Sequence, residues 1–152
     1  GIYLAQEAWP DSMYEIQLRY PNIVFSHETA LYLHDMATRE PLRYTVTMKT
    51  SAGATRLTKE NIKVYKIKET LFGVGITDCV SPAGHKLRVY DKERTICDIL
   101  RSRSNIEVQE FHAALKNYVR RKDKNIPQLM RYAEMFSVER IARQYMEVLL
   151  DG

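Results

Sequence analysis

Only two cysteines occur in the 152 residues. Cys79 and Cys97 stand eighteen positions apart and form no CxxC pair, so neither a disulfide framework nor a zinc knuckle is indicated. Glycine and proline together supply eleven residues, too few for a collagen-like or linker-like chain. No apolar run approaches the roughly eighteen residues of a membrane span, and no basic stretch leads into an apolar one, so neither a span nor a secretory leader is expected. These absences make a reducing, cytoplasmic setting the expectation. The chain opens Gly1-Ile2-Tyr3-Leu4 without an initiator Met, as a fragment or a trimmed natural start would.

What is present suits a globular domain. Hydrophobic residues make up 45% and charged residues 28%, enough apolar surface for a core in a chain the size of one domain. The net charge of +4 is unevenly placed. Residues 1–36 hold one base, Arg19, against five acids, while the remaining 22 bases and 14 acids give the rest a surplus of +8. The densest basic block is Lys116, Arg120, Arg121, Lys122 and Lys124, with Lys63, Lys66 and Lys68 as a second cluster. Such blocks steer a protein towards phosphate or an acidic partner, and they also serve as plain solvated helix ends.

Periodicity predicts an α+β fold: a small antiparallel or mixed β-sheet, flanking helices and a C-terminal helical layer. A short helix over 13–20 is stopped by Pro21, a strand covers 23–25, and Ser26 N-caps a helix from His27 to about Ala37. Strands are expected at 44–48, 62–67, 71–80 and 87–90 with hairpin-like spacing, and 51–55 reads as a loop. Asp91 caps a helix to about Ser102. Helices follow around Phe111–Val119, around Leu129–Phe136 with Pro127 in the first turn, and from a Ser137 cap onward, with Val138, Ile141, Ala142, Tyr145, Val148 and Leu149 inward.

Catalytic patterns are sparse. His27 and His34 are seven apart, whereas helical metal pairs use i, i+4 spacing, and no third ligand is evident; hydrogen-bonded imidazoles are the expectation. Gly73-Val74-Gly75 is half of a phosphate-loop pattern, and a strand bulge or close packing explains it better. No lysine has an acid two positions before it, which argues against the common metal-dependent nuclease triplet. Glu93 and Asp98 lie about 140° apart around one helix, too divergent to cooperate, while Arg94 and Asp98 can pair at i, i+4. The cysteines have no adjacent His to activate them, and Met130, Met135 and Met146 read as core filler. Tyr65/Lys66, Arg88/Tyr90 and Tyr118/Arg120 interleave rings with cations as single-strand binders do, though tyrosine is also ordinary in half-buried strands.

Phe25-Ser26-His27-Glu28-Thr29-Ala30-Leu31-Tyr32-Leu33-His34 resembles the S-H-x-T-A-L-x-L-H signature of the AbiEi family of antitoxins. Tyr44-Thr45-Val46-Thr47 resembles that family's next strand, and Tyr90-Asp91-Lys92-Glu93-Arg94-Thr95-Ile96-Cys97-Asp98 its Y-D-x-E-R-T-x-x-D stretch. The closing helices, ending Tyr145-Met146-Glu147-Val148-Leu149-Leu150, are also similar, and the matches run in order over about residues 1–150.

The resemblance implies that residues 1–152 are the C-terminal antitoxin domain of a two-domain protein. An N-terminal winged helix-turn-helix, absent from this sequence, would repress the operon by reading operator DNA. The functional partner would be an AbiEii-type nucleotidyltransferase toxin of a bacterial phage-defence system, a type IV pair that needs no stable complex. The domain would be non-enzymatic and cofactor-free, would touch no membrane, and could contact RNA through Lys116, Arg120, Arg121, Lys122, Lys124, Lys63 and Lys66. Ser26, His27, Thr29, His34, Tyr44, Thr47, Tyr90, Asp91, Arg94, Thr95 and Asp98 make up the polar signature, expected to serve the fold through capping and internal hydrogen bonds. The alternative is a basic nucleic-acid-binding module of a transcriptional regulator.

Overall fold

The computed structural model describes residues 11–151, and the expectation for Gly1–Leu4 lies outside them. A five-stranded mixed sheet carries helices at both ends of its chain order, which is the α+β architecture expected. Helix α1 (Ser12–Arg19) is capped by Asp11, whose carboxylate accepts from the Tyr14 amide at 3.3 Å. Strand β1 (Val24–Phe25) leads into α2 (His27–Leu33), followed by β2 (Thr45–Lys49), α3 (Thr55–Lys59), β3 (Lys63–Ile67) and α4 (Glu69–Phe72). A hairpin of β4 (Ile76–Val80) and β5 (Lys86–Tyr90) precedes the helical layer of α5 (Lys92–Arg101), α6 (Val108–Arg120), α7 (Ile126–Met135) and α8 (Glu139–Asp151). None of these helices is long and apolar enough to cross a membrane.

The sheet order is β3-β2-β1-β5-β4, with β1 antiparallel to β2 and parallel to β5, and β2 parallel to β3. This corrects the hairpin expected between 62–67 and 71–80, because β3 and β4 form opposite edges. Residues 71–80 are not one strand: Leu71 and Phe72 finish a helical turn, and Gly75 at φ +81 swings the chain into β4. A Cβ on Gly75 would stand 2.9 Å from Arg94 Cβ and 3.2 Å from the Asp91 carboxylate, so close packing accounts for this glycine. The loop expected at 51–55 also gives way, at Thr55, to α3.

Three helix ends share one device. The residue after each C-cap has positive φ: Asp35 (62°), Asn61 (61°) and Ser137 (60°). The next amide then reaches back five residues, Met36 to Leu31 at 2.8 Å, Ile62 to Leu57 at 3.1 Å and Val138 to Ala133 at 2.8 Å. These are Schellman closures, each followed by a buried apolar residue. They explain two departures from the sequence reading. Helix α2 stops at Leu33 instead of reaching Ala37, and Ser137 terminates α7 instead of capping α8.

Two cores result. One face of the sheet gives Phe25, Val46, Met48, Leu87 and Val89 to a core with Met13 and Ile16 of α1 and Leu57 of α3. The larger core binds α5 to α6, α7 and α8 through Ile96, Ile99, Leu100, Phe111, Leu115, Leu129 and Met146. Val148 is 71% exposed and Met135 47% exposed, so neither fills the core as expected.

Candidate functional site

Between the two cores the other sheet face is polar. Strand alternation turns Thr45 and Thr47 of β2 away from Val46 and Met48, and both threonines are buried. Ser26 sits at the N-cap of α2, but its hydroxyl caps nothing, contrary to expectation. Thr45 Oγ1 from the neighbouring strand takes that role, accepting from the Thr29 amide at 3.0 Å while the Thr45 amide donates to Thr29 Oγ1 at 2.8 Å. The same Thr45 hydroxyl donates to the Ser26 carbonyl. Ser26 Oγ is thereby free to accept from Thr47 Oγ1 at 2.7 Å and to bond His27 Nδ1 at 2.8 Å.

His27 opens α2 with φ +52, in the left-handed region, and its ring stacks on Tyr65 of β3 at 3.6 Å. Burial, reinforced by Arg94, Lys63 and Arg101, pushes its pKa down to about 3, so the imidazole is neutral. His34 ends the helix half-buried, its pKa also lowered by burial. Its Nε2 lies 2.7 Å from the Tyr90 carbonyl. A carbonyl can only accept, so Nε2 carries the proton. Thr95 Oγ1 donates to the same carbonyl at 3.3 Å. Tyr44 is half-buried, with its ring edge-on to Phe25.

The third segment closes the seam. Asp91 caps α5 as expected, accepting from the Arg94 amide at 2.7 Å and from Tyr132 OH at 3.1 Å. Tyr90 OH donates to the Phe72 carbonyl at 2.6 Å. Arg94 is fully buried between the rings of Tyr90 (3.8 Å) and Phe136 (4.3 Å). Its Nε pairs with Asp98 at 3.0 Å, and its Nη1 donates to the carbonyls of Leu71 (2.9 Å) and Val74 (2.7 Å). Burial drives the Asp98 pKa up to about 6 despite the guanidinium beside it. Arg94 Nη2 and Asp98 Oδ2 keep no hydrogen-bond partner.

Two members were visible in the sequence but without their partners. Tyr65 supplies the stacking partner of His27, which only the β2–β3 register, placing Tyr65 opposite Thr47, reveals. Glu93, nearly buried, accepts from Tyr118 OH at 2.6 Å and from the Asn125 amide at 3.0 Å, locking α5 to the α6–α7 corner.

The basic block behaves less uniformly than its sequence suggests. Lys116, Arg120 and Lys122 are exposed. Arg121 is spent on Asp123 at 3.0 Å, and Lys124 Nζ donates to the Arg121 carbonyl at 3.1 Å. Lys63 and Lys66 lie on β3, a different element. Lys63 sits over the Tyr65 ring at 5.0 Å, and the exposed Lys66 donates to the Ala52 carbonyl at 2.6 Å. Of the interleaved tyrosines, Tyr90 and Tyr118 are wholly buried and offer no face for base stacking. Cys97 is buried in the helical core, and burial pushes the half-buried Cys79 thiol up to about 11. Among the described residues no three His, Cys, Asp or Glu side chains gather as a metal site would require. No protein-family model matches the chain, and no curated protein matches it.

Proposed function

We propose that this domain is a non-enzymatic antitoxin of AbiEi type, acting in the bacterial cytoplasm against a nucleotidyltransferase toxin in phage defence. One observation carries the reading. The three signature segments, 26–34, 44–47 and 90–98, are far apart in sequence yet meet in one buried hydrogen-bonded seam. Residues that resemble a family's signature and interlock in this way support a shared fold, and the family's role comes with it. In the full-length protein, repression through a winged helix-turn-helix on operator DNA belongs to a domain outside this sequence.

With the signature occupied by architecture, neutralisation falls to the surface. Lys116, Arg120 and Lys122 project from the α6 corner and are suited by charge to compete for the toxin's RNA or nucleotide target. Reversing Lys116, Arg120, Arg121, Lys122 and Lys124 together is expected to abolish protection of toxin-expressing cells. Full protection by that variant would make the block a solvated face. A second reading, a nucleic-acid-binding module, is favoured by four exposed cations, Lys66, Lys68, Arg101 and Arg103, with no carboxylate partner among the described residues. It predicts binding that falls steeply with salt.

A further inference from the structure

Those four cations converge. An outer cavity of about 310 Å³ is lined by Lys68, Arg101 and Arg103 together with Phe136 and Ser137. An inner cavity of about 130 Å³ is lined by Lys66, Arg101, Arg94 and Asp98, with His27 and Ser102. Arg101 belongs to both. Arg94 stands between them: it lines the inner cavity, its plane rests on Phe136 of the outer wall, and its Nη1 holds the carbonyl of Leu71, another outer-wall residue.

The charge balance is one-sided. Asp98 is the only carboxylate lining either cavity, and Arg94 already neutralises it at 3.0 Å. Lys66, Lys68, Arg101 and Arg103 have no ion pair among the described residues; Lys66 and Arg103 bond only backbone carbonyls. Four like charges brought to one cleft repel one another, an arrangement an anionic ligand relieves. Deeper in, the buried Arg94–Asp98 pair keeps one unpartnered atom on each side, Nη2 and Oδ2, a costly state for groups removed from water. Neutral His27 adds no competing charge, and the hydroxyl of Ser102 lies 3.5 Å from its Nε2 as a further donor on the wall.

Size narrows the ligand. The inner cavity is the smaller of the two and has room for one phosphate group. The outer cavity is more than twice as large and offers two more cations, Lys68 and Arg103, to a second phosphate.

We propose that this double cleft binds a terminal phosphate chain, with the end phosphate in the inner cavity on Arg101 and Lys66 and the next group held by Lys68 and Arg103. The chemistry is that of a phosphate monoester or anhydride, supplied either by a free nucleotide or by the phosphorylated end of an RNA. The site is independent of the α6 corner and of the antitoxin reading.

Calorimetric titration of the intact chain tests it with four probes: inorganic pyrophosphate, ATP, and one short oligouridylate bearing either a 5′-phosphate or a 5′-hydroxyl. Pyrophosphate is expected to bind, and Lys68→Ala/Arg101→Ala, at two exposed positions, is expected to weaken it at least tenfold. Lys116→Ala/Arg120→Ala should leave it within twofold. ATP binding without either oligomer, weakened by Lys68→Ala/Arg101→Ala, assigns the cleft to nucleotides, whereas a preference for the 5′-phosphorylated oligomer that the same variant removes assigns it to RNA ends. Equal, measurable affinity for both oligomers in the Lys116→Ala/Arg120→Ala variant would overturn the proposal, as it would mean diffuse backbone attraction. Failure of pyrophosphate to bind, or binding indifferent to Lys68→Ala/Arg101→Ala, would overturn it equally.

Discussion

Arg94→Met replaces the one charged side chain on which α4, α5, β5 and the α7–α8 turn all depend. The substitution keeps an unbranched chain between Tyr90 and Phe136 but deletes every polar contact. Asp98 becomes a buried carboxylate without its partner, a change worth about 3–5 kcal/mol when one member of a buried pair is removed. The Val74 carbonyl also loses a donor at 2.7 Å, and the guanidinium's stacking on two rings, about 1–2 kcal/mol when desolvated, disappears. These terms overlap, and about 4 kcal/mol is a fair total against a domain stability of about 5–15 kcal/mol. At about 2–4 °C per kcal/mol for a chain of this size, Tm should fall by roughly 8–16 °C. Urea and thermal unfolding followed by circular dichroism at pH 7 would measure it. Arg94→Met/Asp98→Leu should in turn be more stable than Arg94→Met alone, because the orphaned charge is gone. An Arg94→Met variant within about 1 kcal/mol of wild type, or a double variant showing the plain sum of the single losses, would refute the reasoning.

Other expectations follow from the same seam. His27 has a folded pKa of about 3 against an ordinary 6.5, so the unfolded chain takes its proton first; this group's stability is present above pH 6.5 and is lost as pH falls from 6.5 towards 3. Asp98 has the opposite sign: its pKa of about 6 exceeds the ordinary 3.8, so its contribution is complete below 3.8 and lost as pH rises through 6. Between pH 6 and 4 the two slopes oppose each other, and urea midpoints measured against pH should fall more steeply on acidification in Asp98→Asn than in wild type; parallel profiles would contradict this assignment. Gly75→Ala must adopt φ +81 and meet Arg94 Cβ at 2.9 Å, so a loss of about 2 kcal/mol or more is expected in urea unfolding. Thr45→Val removes the hydroxyl that caps α2 and should cost about 1–2 kcal/mol, whereas Ser26→Ala leaves that cap in place. Neither Cys97, buried, nor Cys79, with its thiol pushed up to about 11, should react rapidly with a disulfide reagent at pH 7.5 in the folded chain.

The sequence was most legible where local chemistry decides structure. Asp91 caps α5, Pro127 lies in the first turn of α7, and the helical layer follows the apolar spacing of Phe111, Leu115 and Tyr118. Helix ends were less visible because Asp35, Asn61 and Ser137 occupy a left-handed position where glycine is the usual signal. The β3–β4 separation was hidden for another reason: a four-residue helix and Gly75 interrupt a run of strand-favouring residues, and pairing order is a tertiary outcome. In the candidate site, the Arg94–Asp98 pair was readable from i, i+4 spacing. The capping of α2 by Thr45 was not, since that bond joins residues sixteen apart across a sheet. Convergence of Lys66, Lys68, Arg101 and Arg103 likewise comes only from folding.

Plating efficiency of bacteria expressing an AbiEii-type nucleotidyltransferase, with and without residues 1–152, tests the antitoxin reading most directly. Circular dichroism on the purified domain would establish that it is folded. The account predicts that the domain alone restores colony formation to the level of toxin-free cells. A folded, expressed domain that leaves the cells as inviable as toxin alone would contradict it.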